Sequence, residues 1–241
     1  MASNQKAVIV TGASQGIGAG VAQSFIDRDY NVVANSRNIT KANPFAASAN
    51  VALVDGDIAD PRTAAKIVDT AVSRFGRIDV LVNNAGIFIP KPFTEYTTDE
   101  FNTLVSTTLA GFLYVSQLAV KQMLRQKSGS IVNVSTTLVD QPIAGVGASV
   151  QIMVKGALNA VTRALAIEYA KEGIRVNTVA LGVINTPMHK PETHDFLKSL
   201  HPVGRIGEIK EVVDAILFLT DATFTTGEIL HIDGGAHAGK W

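Results

Sequence analysis

Two polar residues near the start of a predicted helix are the first candidates for chemistry. Gln151 and Lys155 stand where a strand-like stretch, 130–134, is followed by a long helical pattern over 150–171. A lysine whose pKa is lowered by burial or by a nearby positive charge can give a proton to a substrate. A glutamine amide forms hydrogen bonds but does not titrate near neutral pH. The pair predicts a polar site in which Gln151 anchors a ligand and Lys155 handles the proton.

A glycine-rich turn provides the second chemical signal. Gly12, Gly16 and Gly18 follow the first apolar strand and start the first helical pattern. Glycine lets the backbone turn tightly and approach a pyrophosphate, while a helix N-terminus presents N–H groups and a partial positive charge. Glycines alone are a weak signal, but the strand–turn–helix context that a dinucleotide site requires is present here. The turn therefore predicts a dinucleotide cofactor.

The end of the second predicted strand bears on the choice of cofactor. NAD sites commonly place an acidic residue there to bind the ribose 2′-hydroxyl, whereas an arginine favours a 2′-phosphate. This chain reads Ala-Asn-Ser-Arg-Asn over residues 34–38, with Arg37 and without a carboxylate. We therefore expect NADP(H) rather than NAD(H).

The elements that must position these residues alternate regularly along the chain. Short apolar runs separated by longer helical patterns are typical of parallel strands joined by crossover helices. The predicted strands are 7–10, 31–34, 51–54, 78–82, 130–134, 174–179 and 229–232. The predicted helices are 16–28, 61–75, 99–126, 150–171 and 208–220. With no Pro- or Ser-rich linker, the pattern predicts an α/β fold: a single doubly wound domain over 1–241 with helices on both faces of a parallel sheet.

Composition excludes several classes of function. Lys+Arg and Asp+Glu both count 21, so a net charge of zero predicts no general attraction to nucleic acid or to a membrane. Cysteine is absent, which excludes disulfides and thiolate metal sites, and the five histidines lack the paired carboxylate spacing of a metal site. The apolar run near the N-terminus is too short for a signal-peptide core or a membrane span. We expect a cytoplasmic protein that acts on a small molecule.

Further motifs, in a consistent order along the chain, make it resemble the classical short-chain dehydrogenase/reductase family. They are the glycine-rich turn of 12–18, Asp57–Ile58, Asn83–Gly86, Gly182–Thr186, Gly227 and Asp233–Gly235. The resemblance spans nearly the whole chain. It implies a Rossmann-type fold with a seven-stranded parallel sheet, and an oxidoreductase that uses a nicotinamide cofactor.

The resemblance also implies which residues bind the cofactor. They are Gly12, Ser14, Gln15, Gly16, Ile17, Gly18, Ser36, Arg37, Asn38, Asp57, Ile58, Asn84, Ala85, Gly86, Lys155, Gly182, Ile184 and Thr186. Asp57 corresponds to the family's adenine-contacting aspartate. Lys155 corresponds to the lysine that holds the nicotinamide ribose.

By the same resemblance, four catalytic positions fall on Gln151, Lys155, Thr136 and Thr108. Lysine is retained, but Gln151 replaces the tyrosine that supplies or removes the proton. Thr136 falls on the serine that orients the substrate oxygen, and because the stretch to Gln151 is longer than usual, Ser135 or Thr137 are alternatives. Thr108 falls on the asparagine that supports a proton-relay water. Loss of a positioned general acid costs on the order of 10²–10⁴ in rate.

The missing tyrosine leaves three interpretations open. The first is an NADP(H)-dependent oxidoreductase with an atypical proton path, acting on a C=O or C=N substrate, since an iminium needs no proton delivered with the hydride. The second is a cofactor-binding or structural homologue with impaired catalysis. The third is an ordinary enzyme altered at position 151, and the difference at Thr108 argues against it.

Two further expectations concern the substrate loop and assembly. Residues 186–202 correspond to the family's mobile substrate loop, in which His189 is the best candidate to reach substrate and His201 is expected to be structural. His237 is expected at the surface or in an interface. The helices at 99–126 and 150–171 carry more apolar surface than one sheet face needs, and by resemblance they predict a homotetramer, with a dimer as the alternative.

Overall fold

The computed structural model describes residues 5–240, and their strands form a seven-stranded sheet. The strands are β1 (Ala7–Thr11), β2 (Asn31–Ser36), β3 (Val51–Asp55), β4 (Val80–Asn83), β5 (Gly129–Thr136), β6 (Ile174–Leu181) and β7 (Ile229–Ile232). Their order is β3-β2-β1-β4-β5-β6-β7, and every neighbouring pair is parallel. The strand order reverses between β1 and β4, where a crevice opens at the carboxyl ends of the strands. The predicted Rossmann-type fold is confirmed.

Helices cover both faces of the sheet. They are α1 (Gly16–Ile26), α2 (Ile39–Ala42), α3 (Pro61–Phe75), α4 (Thr98–Val105), α5 (Gly111–Gln126), α6 (Ser149–Tyr169), α7 (His194–Lys198) and α8 (Ile209–Asp221). One apolar core lies between the sheet and helices α1 and α8, and a second lies between the sheet and α3, α5 and α6. In β1, Val8 and Val10 face the first core and Ile9 faces the second. Burial on both faces explains the unbroken apolar run of this strand.

Helices α4 and α5 are joined by one wide turn. Residues Ser106–Ala110 form a π-helical turn between them, and this turn contains Thr108. Upstream, a capping box of Thr97 and Glu100 satisfies backbone N–H groups at the start of α4. π-helical turns inside helices are frequent at functional sites.

Two details of secondary structure differ from the prediction. The pattern predicts that the fourth strand begins at Ile78, but β4 begins at Val80. Gln126 accepts a hydrogen bond from the Ile78 N–H at 2.9 Å and donates to its carbonyl at 2.7 Å, so a side chain replaces the sheet as partner. The short helices α2 and α7 are missed because four or five residues are too few to show helical periodicity.

Two helical segments are long and apolar enough to cross a membrane by length and composition alone. They are Thr98–Gln126 and Ser149–Glu172, with mean hydropathies of 1.4 and 1.2. Both pack against the sheet, through Val115 and Ala119 in the first segment and Ala166 in the second. Because the core helices of soluble proteins pass the same test, these properties alone do not indicate a membrane protein.

Candidate active site

The glycine-rich turn between β1 and α1 is shaped by its backbone. Gly12 and Gly16 have φ angles of +68° and +58°, a left-handed conformation that favours glycine. A Cβ on Gly12 would lie 2.8 Å from Ala85 Cα, so a side chain has no room there. Helix α1 begins after Gln15 without a side-chain cap from any residue of 5–240. Its first N–H groups are therefore open to an anionic group such as a pyrophosphate.

Asn84 locks this turn to the end of β4. Its Nδ2 donates to the carbonyls of Thr11 and Gly12 at 3.0 and 3.1 Å. In return, Thr11 Oγ1 accepts hydrogen bonds from the backbone N–H groups of Asn84 and Ala85, both at 3.1 Å. These reciprocal contacts hold the glycine-rich turn and the Asn-Asn-Ala-Gly segment as one rigid unit, which we call the cofactor cradle (residues 11–18 and 84–86).

The predicted cofactor residues after β2 lie at an exposed corner beside the cofactor cradle. Arg37 and Asn38 are exposed, and Ser36 is half-buried. The strand register sets Ser36 opposite Asp55 of β3. Hydrogen bonds from the Thr40 hydroxyl and N–H engage that carboxylate and lower its pKa. Arg37 thus provides a positive charge at this corner, while the carboxylate of Asp55 is already engaged by Thr40.

Asp57 and Ile58, which follow β3, have different surroundings. Asp57 is exposed, and its Oδ1 accepts a hydrogen bond from the Ala59 N–H at 2.9 Å. Ile58 is buried against Gly111, where a Cβ would lie 2.8 Å from Ile58 Cγ2. An exposed carboxylate can bind a polar group of a ligand, whereas Ile58 fixes the start of α5 against the sheet.

The loop after β6 forms the opposite side of the crevice. A Cβ on Gly16 would lie 3.7 Å from Thr186 Cβ, which sets this loop against the glycine-rich turn. Ile184 is buried, and Gly182 packs so closely on His201 that a Cβ there would lie 2.6 Å from His201 Nε2. The predicted cofactor residues after β1, β4 and β6 therefore come together along one crevice.

Lys155 is buried in the first turns of α6. It is 7% exposed, and its Nζ donates to the Val134 carbonyl at 2.6 Å. A Cβ on Gly86 would lie 3.4 Å from this Nζ, so the lysine borders the cofactor cradle. Burial lowers the pKa of Lys155 to about 8, because desolvation disfavours the charged form. Its ammonium group can therefore exchange a proton close to neutral pH.

Gln151 lies one helical turn before Lys155 and is also buried. It is 2% exposed, and its Oε1 has no hydrogen-bond partner among the described residues. Asn159, one turn after Lys155, is 4% exposed, and neither atom of its amide has a partner within residues 5–240. An unsatisfied buried polar group costs about 1–3 kcal/mol. This part of α6 thus carries polar atoms that a bound ligand or water can satisfy.

Three consecutive hydroxyl residues near the end of β5 have different partners. Ser135 is buried, and its Oγ donates to a backbone carbonyl of α6 at 3.3 Å. Thr137 is buried and donates to Asp233 Oδ2 at 2.6 Å. Thr136 is half-buried, and its Oγ1 makes two long contacts of 3.3 Å with backbone groups. Of the three hydroxyls, that of Thr136 can exchange its partners for a substrate atom at the lowest cost.

Thr108 lies beside a small cavity at the π-helical turn. Its side chain is buried, and Oγ1 has no partner in the part of the chain that the structure describes. The cavity of about 10 Å³ is lined by Thr11, Ile58, Asn83, Ala85, Thr107, Thr108, Gly111, Phe112 and Leu158. This volume is room for about one water molecule. The threonine hydroxyl can therefore hold a water next to the cofactor cradle.

His201 has the structural role that was expected. Its Nδ1 donates to the Leu197 carbonyl at 3.0 Å, and its Nε2 accepts a hydrogen bond from the Val183 N–H at 2.9 Å. Both ring nitrogens are thus engaged, and burial lowers the pKa of the ring. Burial also lowers the pKa of His189, which is half-buried in the substrate loop. Within residues 5–240, His, Asp and Glu side chains form no group of three that could hold a metal.

One group of contacts is missed by the sequence motifs, although Asp233 itself belongs to one of them. The rings of His231 and His237 stack with their centroids 3.8 Å apart. His231 Nε2 lies 2.9 Å from Asp140 Oδ2, and His237 Nδ1 lies 2.8 Å from Asp233 Oδ2. His237 is at the surface, as expected, but it is bound to the sheet. Because side chains alternate along a strand, the sequence predicts that His231 and Asp233 share one face at the end of β7. Nothing in the sequence predicts that Asp140 contacts them.

The fold agrees with comparisons to known proteins. A family profile described as "Enoyl-(Acyl carrier protein) reductase" matches residues 12–237. The chain is 34% identical over 247 residues to a glucose 1-dehydrogenase of Gluconobacter oxydans (strain 621H), with 95% of this chain and 91% of the relative covered. The chain belongs to the classical short-chain dehydrogenase/reductase family. It is an oxidoreductase of that type, with a fold that binds a nicotinamide cofactor.

Two similar solved structures contain such cofactors. "ElxO with NADP Bound" is 33% identical, with a TM-score of 0.91, and the match covers 98% of this chain and 100% of that one. A 3-ketoacyl-(acyl-carrier-protein) reductase from Brucella melitensis complexed with NADH is 27% identical, with a TM-score of 0.89, over 96% of this chain and 98% of that one. Similar proteins thus bind either cofactor, and the choice depends on local residues.

Proposed function

We propose that this protein is an NADP(H)-dependent oxidoreductase that acts on a C=N or C=O group of a small molecule, with a preference for C=N. The nicotinamide supplies or accepts the hydride when it is bound. The residues that hold it are those of the cofactor cradle, Lys155 and the loop 182–186. Arg37 supports the choice of NADP(H), because an exposed guanidinium without a competing free acid suits a 2′-phosphate.

The observation that carries the proposal is the buried, unpartnered Oε1 of Gln151. By the resemblance of residues 151–155 to the family signature, Gln151 falls at the position of the tyrosine, and its amide has no proton to give up near neutral pH. An Oε1 atom is an acceptor, so a ligand N–H group satisfies it, whereas a ketone oxygen does not. The nitrogen of an iminium or an amine can provide that N–H group. In the orientation that the structure shows, Oε1 therefore favours a C=N substrate, whereas a C=O substrate requires the amide to rotate so that its N–H group donates instead.

Proton balance points the same way. When hydride adds to the carbon of an iminium, the electron pair of the C=N bond goes to nitrogen and leaves a neutral amine. When hydride adds to a ketone, the oxygen becomes an alkoxide and requires a proton. Lys155, with a pKa of about 8, is the titratable group one helical turn from Gln151, and it would have to leave the Val134 carbonyl to deliver that proton. We therefore expect imines to react faster than matched ketones.

Thr136 and Thr108 complete the proposed site. The Thr136 hydroxyl would exchange its long contacts to backbone groups for a hydrogen bond to the substrate heteroatom. The Thr108 hydroxyl would hold a water in the adjoining cavity, which supports proton exchange with Lys155. Both are orienting roles, so their loss is expected to cost less than the loss of Lys155.

Stopped-flow mixing with NADPH and matched pairs of cyclic imines and ketones tests the proposal. We expect NADPH absorbance to decay at least about tenfold faster with the imine, since a missing acid typically costs more than this. Gln151→Tyr is expected to raise ketone reduction on the order of 10²-fold. Gln151→Met, which keeps the side-chain length without the amide, is expected to slow imine reduction about tenfold and to leave NADPH affinity unchanged.

Two outcomes would contradict the proposal. Faster reduction of ketones than of imines would contradict the argument based on Gln151. Lys155 and His189 would then be the candidate proton donors. Tight binding of NADPH without oxidation by any member of the panel would favour a cofactor-binding homologue with impaired catalysis.

Assembly and location stay predictions. We propose a homotetramer formed through α5 and α6, because Leu113, Met153 and Ile167 on these helices are exposed large apolar side chains. Analytical ultracentrifugation measures the mass of the assembly directly. We also propose a cytoplasmic protein whose partners are small molecules rather than nucleic acid or membrane, consistent with its zero net charge.

A further inference from the structure

A groove at the amino ends of the strands lies at the edge of the sheet opposite the reaction centre. Its volume is about 660 Å³, and the residues that line it include Lys6, Tyr30, Asp79, Ser130, Arg175 and Phe224. We call it the amino-edge groove. Its volume lies within the range of about 300–1,000 Å³ that is common for small-molecule sites. Ser130 and Thr136 stand near opposite ends of β5, about 20 Å of strand apart, so a ligand in this groove leaves the cofactor crevice open.

Ser130 gives the amino-edge groove a buried polar atom that lacks a partner. Its side chain is 3% exposed, and its Oγ has no hydrogen-bond partner among the described residues. The sheet register sets Ser130 between Val80 of β4 and Arg175 of β6, and residues paired in this way point to the same face. Val80 faces the core beneath α1 and α8, so Ser130 lies on that face too. Its hydroxyl can donate a hydrogen bond to an acceptor that enters the groove.

Arg175, the cross-strand neighbour of Ser130, holds a half-buried positive charge. Its Nη1 donates to the carbonyls of Leu219 and Ala222 at 2.7 and 2.9 Å, so the guanidinium is fixed against the end of α8. In the part of the chain that the structure describes, it forms no ion pair with a carboxylate. Burial lowers the pKa of Arg175, and the attraction of Asp221 opposes this shift. An arginine stays protonated in proteins, so the charge is present at all ordinary pH values.

The two carboxylates that line the amino-edge groove already have cationic partners. Asp79 accepts hydrogen bonds from the Arg77 guanidinium, two at 2.7 Å, and from the Ala7 N–H at 2.8 Å. Asp221 lies 2.8 Å from Arg28 Nη1. These pairs neutralise the acidic charge of the groove and leave its other cations unbalanced.

Lys6 and two aromatic rings complete the lining. Lys6 is exposed, its Nζ lies 6.0 Å from the centroid of the Tyr30 ring, and within residues 5–240 it has no carboxylate partner. Phe224, after the end of α8, has a fully exposed ring. The groove therefore combines two cations, a buried hydroxyl donor and an aromatic surface.

We propose that the amino-edge groove is a second binding site, which takes a small organic anion. The carboxylate or phosphate group of the ligand accepts hydrogen bonds from Ser130 and Arg175, with Lys6 as a further positive charge, and its apolar part packs on Phe224. Hydrogen bonds to an ionised acceptor are roughly twice as strong as neutral ones, so an anion satisfies the buried hydroxyl better than water does. This site is separate from the proposed reaction, and we expect it to be filled independently of the cofactor.

Titrations followed by NMR on the proton signals of four probes test the proposal with the full chain. The probes are benzoate, phenyl phosphate, neutral benzyl alcohol and cationic benzylamine. We expect at least one of the two anions to bind with a Kd of about 1 mM or lower, and the other two probes to bind at least about tenfold more weakly. The better of the two anions identifies the ligand as a carboxylate or a phosphate. NADP⁺ should not displace it.

Three variants locate the binding. Ser130→Ala removes only the unpartnered hydroxyl, and we expect it to weaken anion binding about tenfold without lowering the melting temperature. Lys6→Gln removes an exposed charge and should weaken binding about threefold. Arg37→Gln, at the opposite edge of the sheet, is the matched control and should bind the anion as the wild type does. Replacement of Arg175 would also disturb the end of α8, so Ser130→Ala is the more specific change.

Four results would overturn the proposal. They are no binding of either anion at 10-fold the expected Kd, benzylamine binding as tight as that of the anions, full affinity in Ser130→Ala, and displacement of the anion by NADP⁺. The last result, together with a loss of affinity in Arg37→Gln, would place the anion in the cofactor cradle instead.

Discussion

The cofactor cradle and the reaction centre lie side by side at the carboxyl edge of the sheet, but their polar groups are satisfied differently. In the cofactor cradle, hydrogen bonds of 3.0–3.1 Å connect Thr11 and Gly12 to the Asn84–Ala85 backbone and side chain. In the reaction centre, Gln151 Oε1 and Thr108 Oγ1 are buried without a partner among residues 5–240. The first region fixes its own shape and leaves open the N–H groups at the start of α1, whereas the side-chain atoms of the second are satisfied only by a ligand or water.

This difference shows that the reaction centre, rather than the cofactor cradle, lowers the stability of the free protein in order to bind a ligand. A cradle that is rigid before binding loses little conformational entropy of its own when the cofactor arrives. Each unsatisfied polar atom in the reaction centre costs about 1–3 kcal/mol in the free protein. A substrate that pairs with those atoms recovers this free energy as affinity and orientation.

The largest expected effect comes from breaking the cofactor cradle. Gly12→Ala combines a φ of +68° with a Cβ 2.8 Å from Ala85 Cα, and we expect it to weaken NADPH binding about a thousandfold. Gly76→Ala is the matched control, because its φ is +76° but nothing lies within 4 Å of the added Cβ. Fluorescence titration should show unchanged NADPH affinity for Gly76→Ala. If Gly12→Ala bound NADPH as tightly as Gly76→Ala, the cradle would tolerate a Cβ at Gly12 and the argument from close contact with Ala85 would be wrong.

Lys155 gives the next largest effect, through pH. Its pKa in the folded chain is about 8, against 10.5 for an ordinary lysine. Below pH 8 the lysine is charged in both states, and between the two values the unfolded chain binds more protons, so stability rises with pH. Relative to Lys155→Met, the wild type should gain up to about 3 kcal/mol between about pH 7 and pH 10. Urea unfolding at both pH values measures this gain, and a constant difference would contradict the lowered pKa.

Two buried asparagines test the difference between side-chain amides with and without hydrogen-bond partners. Asn133 accepts a hydrogen bond from Asn83 and donates to Thr162, both at 2.9 Å, whereas Asn159 has no partner within the described residues. We expect Asn133→Leu to destabilise the protein by about 2 kcal/mol and Asn159→Leu to stabilise it by about 1 kcal/mol. Thermal unfolding of the two variants should therefore shift in opposite directions. Destabilisation of both would show that Asn159 has a bound water as partner.

Arg37 at the exposed corner is expected to have the smallest effect. Arg37→Ala should weaken NADPH binding about tenfold, because a charge-assisted hydrogen bond to the 2′-phosphate is lost. NADH affinity should not change. Arg28→Ala, which removes a surface arginine that pairs with Asp221, serves as the control. Equal losses for NADPH and NADH would refute the proposed preference.

The prediction of the fold succeeded because it used local periodicity. Both faces of β1 are buried, so its apolar run is continuous and easily recognised. The errors lie where a side chain competes with the sheet, as Gln126 does at Ile78, or where a helix is very short. Such contacts join residues that are distant along the chain, so no local pattern contains them.

From the sequence alone we could predict the strands and helices in their order along the chain, the glycine-rich turn, and Gln151 and Lys155 as candidate site residues. These predictions were possible because they depend on residue type and short-range spacing. Only the tertiary structure decided which hydroxyl near the end of β5 keeps exchangeable partners, that Gln151 Oε1 is buried without one among the described residues, and that Asp140 meets His231. Burial and pairing depend on which distant segments the fold brings together, and that information exists only once the chain has packed.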